Sequence, residues 1–353
     1  MLIHYQLMSR TKVVFLYTEI AGYFMSCVKE LAKSADVLVV RWPINKEAPF
    51  EFGDNVSVNI IDRKSISEIE LKQLIHEFTP DIVVCSGWID KSYLKIIESF
   101  RKKIPCVLSL DNHWTGSLKQ HLATLISPFY LKRLFTHAWV PGEPQYIFAH
   151  KLGFGTNILK NFYCADTNLF GMQYETTFPN KTIKLPHRFL FVARYVEHKG
   201  IFEMWKAFVD LQNEFPNDWE LWCLGTGEEW ENKIENDKIK HFGFVQPTEM
   251  KQYIEGTSVY ILPSKFEPWG VSVQEFAISG YPLLLSSAVG SKHKFLAGNG
   301  YEFQSGSAVA IKNAMKKVIE KSDEELIEMG RISNALGLTI TPADWAKNIL
   351  SIK

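Results

Sequence analysis

The sequence lacks any long unbroken apolar run. Nothing in its 353 residues approaches the ~20 apolar residues a membrane-spanning helix needs. The opening residues, MLIHYQLMSRTK, carry no apolar core of the length a secretion signal requires. An excess of one charge is missing too. Lys and Arg number 39 and Asp and Glu number 39. A global attraction to nucleic acid or anionic lipid is thereby excluded, and any anion site must be local. Cysteine is scarce: five residues, at 27, 85, 106, 164 and 223, odd in number and without a Cys-x-x-Cys pair. That pattern suits buried thiols in a reducing compartment. The expected location is cytoplasmic, with peripheral contact at the inner face of a membrane left open.

What is present is apolar material in a repeating order. Hydrophobic residues make up 46% of the chain, and the length suits two domains. Apolar runs at 13–17, 37–40, 56–61, 81–85, 107–110 and 138–140 read as strands. Helical patterns lie between several of them, at 67–78, 93–100, from about 117, and at 145–152. Strands alternating with helices imply a parallel sheet covered on both faces. The polar stretch 171–184, with Pro179 and no apolar period, reads as a linker. The pattern then restarts, with strands at 188–193, 220–224, 259–262 and 283–286 and a strand and loop over 239–245. Helices are expected at 248–254, where Thr248 would cap, after Ser291, and at 308–319. An α/β chain of two Rossmann-like domains is expected, residues 1–170 and 171–339, with an apolar helix near the end, 340–353.

Chemistry concentrates in the loops after strands, where open sheets bind ligands. The densest is 264–275, Ser-Lys-Phe-Glu-Pro-Trp-Gly-Val-Ser-Val-Gln-Glu, closed by Gly280-Tyr-Pro. Pro268 and Gly270 mark a tight loop, and a helix begins at Val271. Glu267 and Glu275 therefore flank a helix N-terminus. Its free N–H groups favour phosphate, while carboxylates accept hydrogen bonds from hydroxyls. A ligand with phosphate and polyol character fits; surface acids on an ordinary strand–loop–helix unit are the alternative. Earlier, the 188–193 strand runs into Arg194-Tyr-Val-Glu-His-Lys199-Gly200. Two cations there would neutralise a diphosphate, unless they are solvated loop charges. Charge-assisted hydrogen bonds of this kind contribute roughly 1.5–3 kcal/mol each. Gly225 and Gly227 permit close backbone approach after the next strand. In the first half, Gly22 lies between a strand and a helix that it could simply begin. Asp111-Asn-His113-Trp114-Thr-Gly follows the 107–110 strand. Asp111 could steady positive charge or cap the next helix. His113 could be reactive, surface or acceptor-groove.

The string Glu267 to Glu275, with the preceding strand and Gly280-Tyr-Pro, resembles the donor-binding signature of retaining glycosyltransferases of family 4. The Arg194…Lys199 spacing resembles the same family, and the likeness covers most of the chain, strongest over 189–303. It implies the GT-B architecture, two Rossmann-like domains facing a cleft, with the last helix crossing back onto the first domain. It implies that Arg194 and Lys199 hold the leaving diphosphate together with the N–H groups of Gly270, Val271 and Ser272. Glu267 would bind hydroxyls of the transferred sugar and Glu275 those of the ribose. The backbone of Phe244 and Val245, which could equally be strand core, would meet the nucleobase, and Gly225 would lie near the donor. The Gly22 loop would approach the donor phosphates, and Asp111 or His113 the reacting sugar, with Trp114 on the acceptor side. Three departures stand out. One glycine replaces a frequent pair at Gly22, Phe162-Tyr163-Cys164 replace small residues before Asp166, and Gln304–Ser307 lacks an acid.

The expected function is a metal-independent, configuration-retaining hexosyl transfer from a nucleotide-diphosphate sugar, first a UDP-sugar, to a glycan, lipid-linked or other acceptor in envelope polysaccharide or glycoconjugate synthesis. No Asp-x-Asp metal signature occurs, no separate cofactor is implied, and no nucleic acid partner is expected. A nucleotide-sugar epimerase on a related fold and a non-catalytic nucleotide-sugar-binding subunit are the competing readings.

Overall fold

A computed structural model describes residues 10–43 and 58–352. Among these described residues thirteen strands form two sheets. In the first are β1 (Thr11–Tyr17), β2 (Ala35–Arg41), β3 (Asn59–Asp62), β4 (Ile82–Ser86), β5 (Cys106–Ser109), β6 (His137–Trp139) and β7 (Ile158–Leu159). In the second are β8 (Arg188–Val192), β9 (Glu220–Leu224), β10 (Ile239–His241), β11 (Val259–Leu262), β12 (Leu283–Ser286) and β13 (Gly300–Phe303). Every pairing between these strands is parallel. The orders are β3-β2-β1-β4-β5-β6-β7 and β10-β9-β8-β11-β12-β13. Both are doubly wound, with the direction of winding reversing between the first strand and its later neighbour. The reversal falls between β1 and β4 in one sheet and between β8 and β11 in the other. Ligands of open α/β sheets bind at the carboxyl ends of strands at such a switch point.

The continuous apolar runs have a physical cause in this topology. Helices cover both faces, so central strands are buried on both sides and need no alternation. Val13–Leu16, Leu38–Val40 and Val83–Val84 are inaccessible in the first sheet, as are Phe189–Phe191 and Val259–Ile261 in the second. All five cysteines are buried and free.

The chain divides into two compact units. Among the described residues the first takes 10–43, 58–162 and 342–352, and the second takes 163–341. The sequence-based division at 170/171 is therefore displaced to Phe162/Tyr163, and the stretch read as a linker is a helix, Thr167–Ile183. Asp166 caps it by accepting from the Leu169 N–H at 3.0 Å. Its buried face is Phe170, Gln173, Thr177, Phe178 and Lys181, which has helical spacing but polar members. The last helix, Pro342–Leu350, belongs to the first unit. Trp345 lies among Phe15, Phe24 and Trp139, and its indole N–H donates to the Phe162 carbonyl at 2.8 Å.

Several boundaries moved. Within the strand and loop expected over 239–245, the strand ends at His241, and Phe244 and Val245 lie in the loop rather than in strand core. Thr248 does not cap; it lies in a 3-10 turn before the helix Lys251–Gly256. Residues 56–57 of the expected third strand lie outside the described residues. No helix among the described residues is long and apolar enough to cross a membrane.

Candidate active site

The second unit assembles its polar groups at the β8/β11 switch point. After β8 the chain passes Arg194 and makes a 3-10 turn, Glu197–Lys199, before the helix Ile201–Glu214. Gly200 joins turn to helix at φ 72°. A Cβ there would run into the Pro263 carbonyl, just past β11. Only glycine lets the two loops close on each other so tightly. They are also tied by backbone bonds: the Lys265 N–H donates to the His198 carbonyl at 2.7 Å. Lys265 in turn bonds Glu203 at 2.7 Å, anchoring the loop to the helix Ile201–Glu214.

This closure brings Lys199 and Glu267 together. The ammonium makes a short charge-assisted bond to Glu267 Oε2, and both side chains are largely buried. Ser264 donates to the same oxygen at 3.2 Å. Ser264 is itself inaccessible, and its carbonyl accepts from Ser286 Oγ at 2.5 Å and Ser305 Oγ at 3.3 Å. Glu267 is further fixed through its backbone, its carbonyl accepting from the Gly290 N–H at 3.0 Å. A carboxylate this enclosed needs such partners to be tolerated.

Gly270 follows at φ 85° and caps the helix Val271–Ile278. Tyr260 donates to Ser272 Oγ at 2.8 Å, settling the first turn of that helix on β11. One turn further, Glu275 is half-buried. Burial, with the neighbouring Asp166 charge, raises its pKa to about 7. Near neutral pH it can therefore offer a proton as well as accept one, which suits a vicinal diol. Gln274 beside it is fully buried. Its Oε1 accepts from the Ala165 N–H at 2.8 Å, and its amide donates to the carbonyls of Gly337 and Ile340 at 2.9 Å each.

The remaining second-unit residues border this centre. Gly225 follows β9 at φ 135°, and a Cβ there would strike the Ala193 carbonyl next to Arg194. Its N–H donates to the Gly243 carbonyl at 2.7 Å, which joins this turn to the loop carrying Phe244 and Val245. His198, between Arg194 and Lys199, has its pKa lowered by burial and then by those two cations.

In the first unit the expected residues are placed separately. Gly22 is the first residue of the helix Gly22–Leu31, and nothing lies within 4 Å of where its Cβ would be. Asp111, His113 and Trp114 follow β5 in an irregular stretch before the helix Leu118–Ile126. Gln120 organises that stretch, donating to the His113 carbonyl at 2.7 Å and accepting from the Thr115 N–H at 2.7 Å. Ser117, not Asp111, caps the helix. His113 is half-buried, and its pKa is lowered by burial. Trp114 is a packing residue: its ring meets Phe148 and His121, with the Lys151 ammonium 4.8 Å above it.

Sequence reasoning missed Ser264, His198 and Gln274. Ser264 and His198 lie inside the strings singled out for their neighbours, Glu267 and Glu275 in one and Arg194 and Lys199 in the other, and were given no role of their own. Gln274 left no signal, because its partners are backbone groups far away in the chain.

Residues 174–333 match the family model described as Glycosyl transferases group 1. The second unit thus carries a domain of that class. A stretch of 167 residues is 28% identical to glycogen synthase of Exiguobacterium sibiricum, covering 42% of this chain and 33% of that protein. The match thus spans one third of that relative's length. Among solved structures, Anabaena HepE in complex with UDP and glucose superposes with a TM-score of 0.72 at 15% identity, over 97% of this chain and 98% of that one. Sucrose-phosphate synthase from Thermosynechococcus elongatus gives 0.72 at 14% identity, over 96% and 97%. Likeness at such identities establishes the fold, two parallel-sheet α/β domains of GT-B type.

Proposed function

We propose that this chain transfers a sugar from a nucleotide-diphosphate sugar, a UDP-sugar first, with retention of configuration and without a metal. The observation that carries the reading is the Lys199–Glu267 pair, held at the switch point beside a helix N-terminus. Such a centre offers cation, N–H groups and carboxylate to one ligand, and that combination fits a diphosphate joined to polyols. The HepE structure holding UDP and glucose in this fold supports it.

In this mechanism Lys199 and Arg194 take up charge on the departing diphosphate, with the N–H groups at Gly270–Ser272. Preorganised electrostatics of this kind act where charge develops and need no rearrangement at the moment of reaction. Glu267 orients hydroxyls of the transferred sugar, and Glu275 grips the ribose. The Phe244–Val245 loop meets the base. The leaving phosphate assists removal of the acceptor proton. The acceptor, a glycan or lipid-linked saccharide, is bound by the first unit, with Asp111 or His113 acting near the reacting sugar and Gly22 leaving room for the ligand. The cytoplasmic face of a membrane is the setting.

The test is transfer or hydrolysis of UDP-glucose and related donors by the full chain, with and without EDTA. Turnover should survive EDTA, and both Lys199→Ala and Glu267→Ala should remove it. Turnover close to that of the native chain in either variant would refute the site. Interconversion of free nucleotide sugars without any acceptor would favour an epimerase instead.

A further inference from the structure

The helix Leu118–Ile126 is built inside out. Leu118, Leu122, Leu125 and Ile126, continued by Phe129 in the following 3-10 turn, fall on one stripe at i, i+4, i+7, i+8 and i+11. Such a stripe ordinarily faces a core. Here these five side chains are between 48% and 89% exposed. The side turned to the protein is Gln120, Ala123, Thr124 and Ser127, small or polar residues at the same period. Ser127 is buried and donates to the Leu152 carbonyl at 2.6 Å, which pins the end of the helix. The apolar face is therefore presented outward by specific anchoring.

Its flanking sequence carries one sign of charge. From residue 112 to residue 142 there is no Asp or Glu, while Lys119, Lys132 and Arg133 fall within that span. The chain as a whole balances 39 basic against 39 acidic residues. An outward apolar stripe whose flanking sequence carries only cations has the chemistry of a helix lying in a lipid interface, its apolar side among acyl chains and its cations at anionic headgroups. A second copy fits worse, because a two-fold contact would bring Lys119 and Arg133 of each copy to one seam with no acid from the 112–142 span to pair them.

We propose that the Leu118–Phe129 surface docks the first unit onto an anionic membrane. The surface belongs to the first unit and includes none of the donor-site residues, so it is tested without turnover. Sedimentation of the full chain with vesicles of phosphatidylcholine, and of phosphatidylcholine mixed with phosphatidylglycerol, measures it. Binding should require the anionic lipid and weaken with salt. The triple variant Leu122→Glu, Leu125→Glu, Phe129→Glu should lose binding by at least about tenfold. The pair Lys119→Glu, Arg133→Glu should lose about as much, since each surface cation contributes roughly fivefold. All five positions are exposed, so melting temperatures should stay unchanged. Absence of binding to anionic vesicles, or equal binding by the apolar variant, would overturn the proposal. So would a concentration-dependent dimer of the native chain that the same variant dissolves.

Discussion

The two switch points share one topology and differ in how they are finished. At β8/β11 the loops close on each other, with Gly200 and Gly225 placed where any Cβ would meet a backbone carbonyl. At β1/β4 the equivalent glycine, Gly22, has open space where its Cβ would be. The second unit thus presents fixed charges and N–H groups, as a ligand of constant chemistry requires. The first leaves open space at that position. Rigidity on the nucleotide side also fits the need for preorganisation where charge develops.

The comparison can be broken most sharply at the ion pair. Lys199→Ala and Glu267→Ala should each lower donor turnover by roughly a hundredfold or more. Asp111→Ala, on the open side, should cost less, as a kcat/KM series on one donor would show. Next come the glycines. Gly225→Ala should destabilise by about 1–3 kcal/mol or more, because strained backbone and a collision coincide. Gly22→Ala should stay within about 1 kcal/mol of the native chain or gain slightly, since Ala favours a helix. Urea unfolding followed by fluorescence and circular dichroism compares them, and equal losses would erase the contrast.

Part of this was legible in the sequence. The strands of both sheets read as apolar runs because both faces are covered. Glu267, Gly270 and Glu275 stood out because local spacing around a helix start is a local property. The helix Thr167–Ile183 was not legible. Its inward face carries Gln173, Thr177 and Lys181, so the apolar period that marks a helix is broken, and Pro179 adds a false stop. The short strands β7 and β13 escaped, since neighbours rather than propensity define them, whereas the helix Asp323–Gly337 was missed although Ser322 and Glu325 form a capping box at its start. The Lys199–Glu267 pair joins residues 68 apart in sequence, and spacing could suggest a shared ligand but not a direct bond.

Two smaller effects sharpen the account of the second unit. Lys181 is 2% exposed, and its Nζ has no hydrogen-bond partner among the described residues, lying 3.9 Å over the Tyr281 ring. Burial holds its pKa well below the usual value, against a weaker opposing pull from Glu255. The unfolded chain therefore binds the proton more readily, and stability should rise with pH toward the ordinary lysine pKa. Lys181→Met should raise the melting temperature at pH 7 and flatten that rise. Glu275 works in the opposite sense. Its folded pKa of about 7 exceeds the reference 4.5, so its protonated form stabilises at low pH, and that stability is lost as pH rises from 4.5 through 7. Glu275→Gln should raise the melting temperature at pH 8, with a smaller change at pH 5. It should also weaken donor binding, if Glu275 grips the ribose as proposed.

The central claim is that the second unit carries a diphosphate site already formed around Lys199. Calorimetric titration of UDP into the native chain and into Lys199→Met tests it most directly. The account expects binding to the native chain, weakened at least about tenfold in the variant, as loss of one charge-assisted bond implies; because Glu267 loses its cation, the variant should melt lower, and circular dichroism at the titration temperature checks that it is folded. Equal affinity in the two proteins would contradict it.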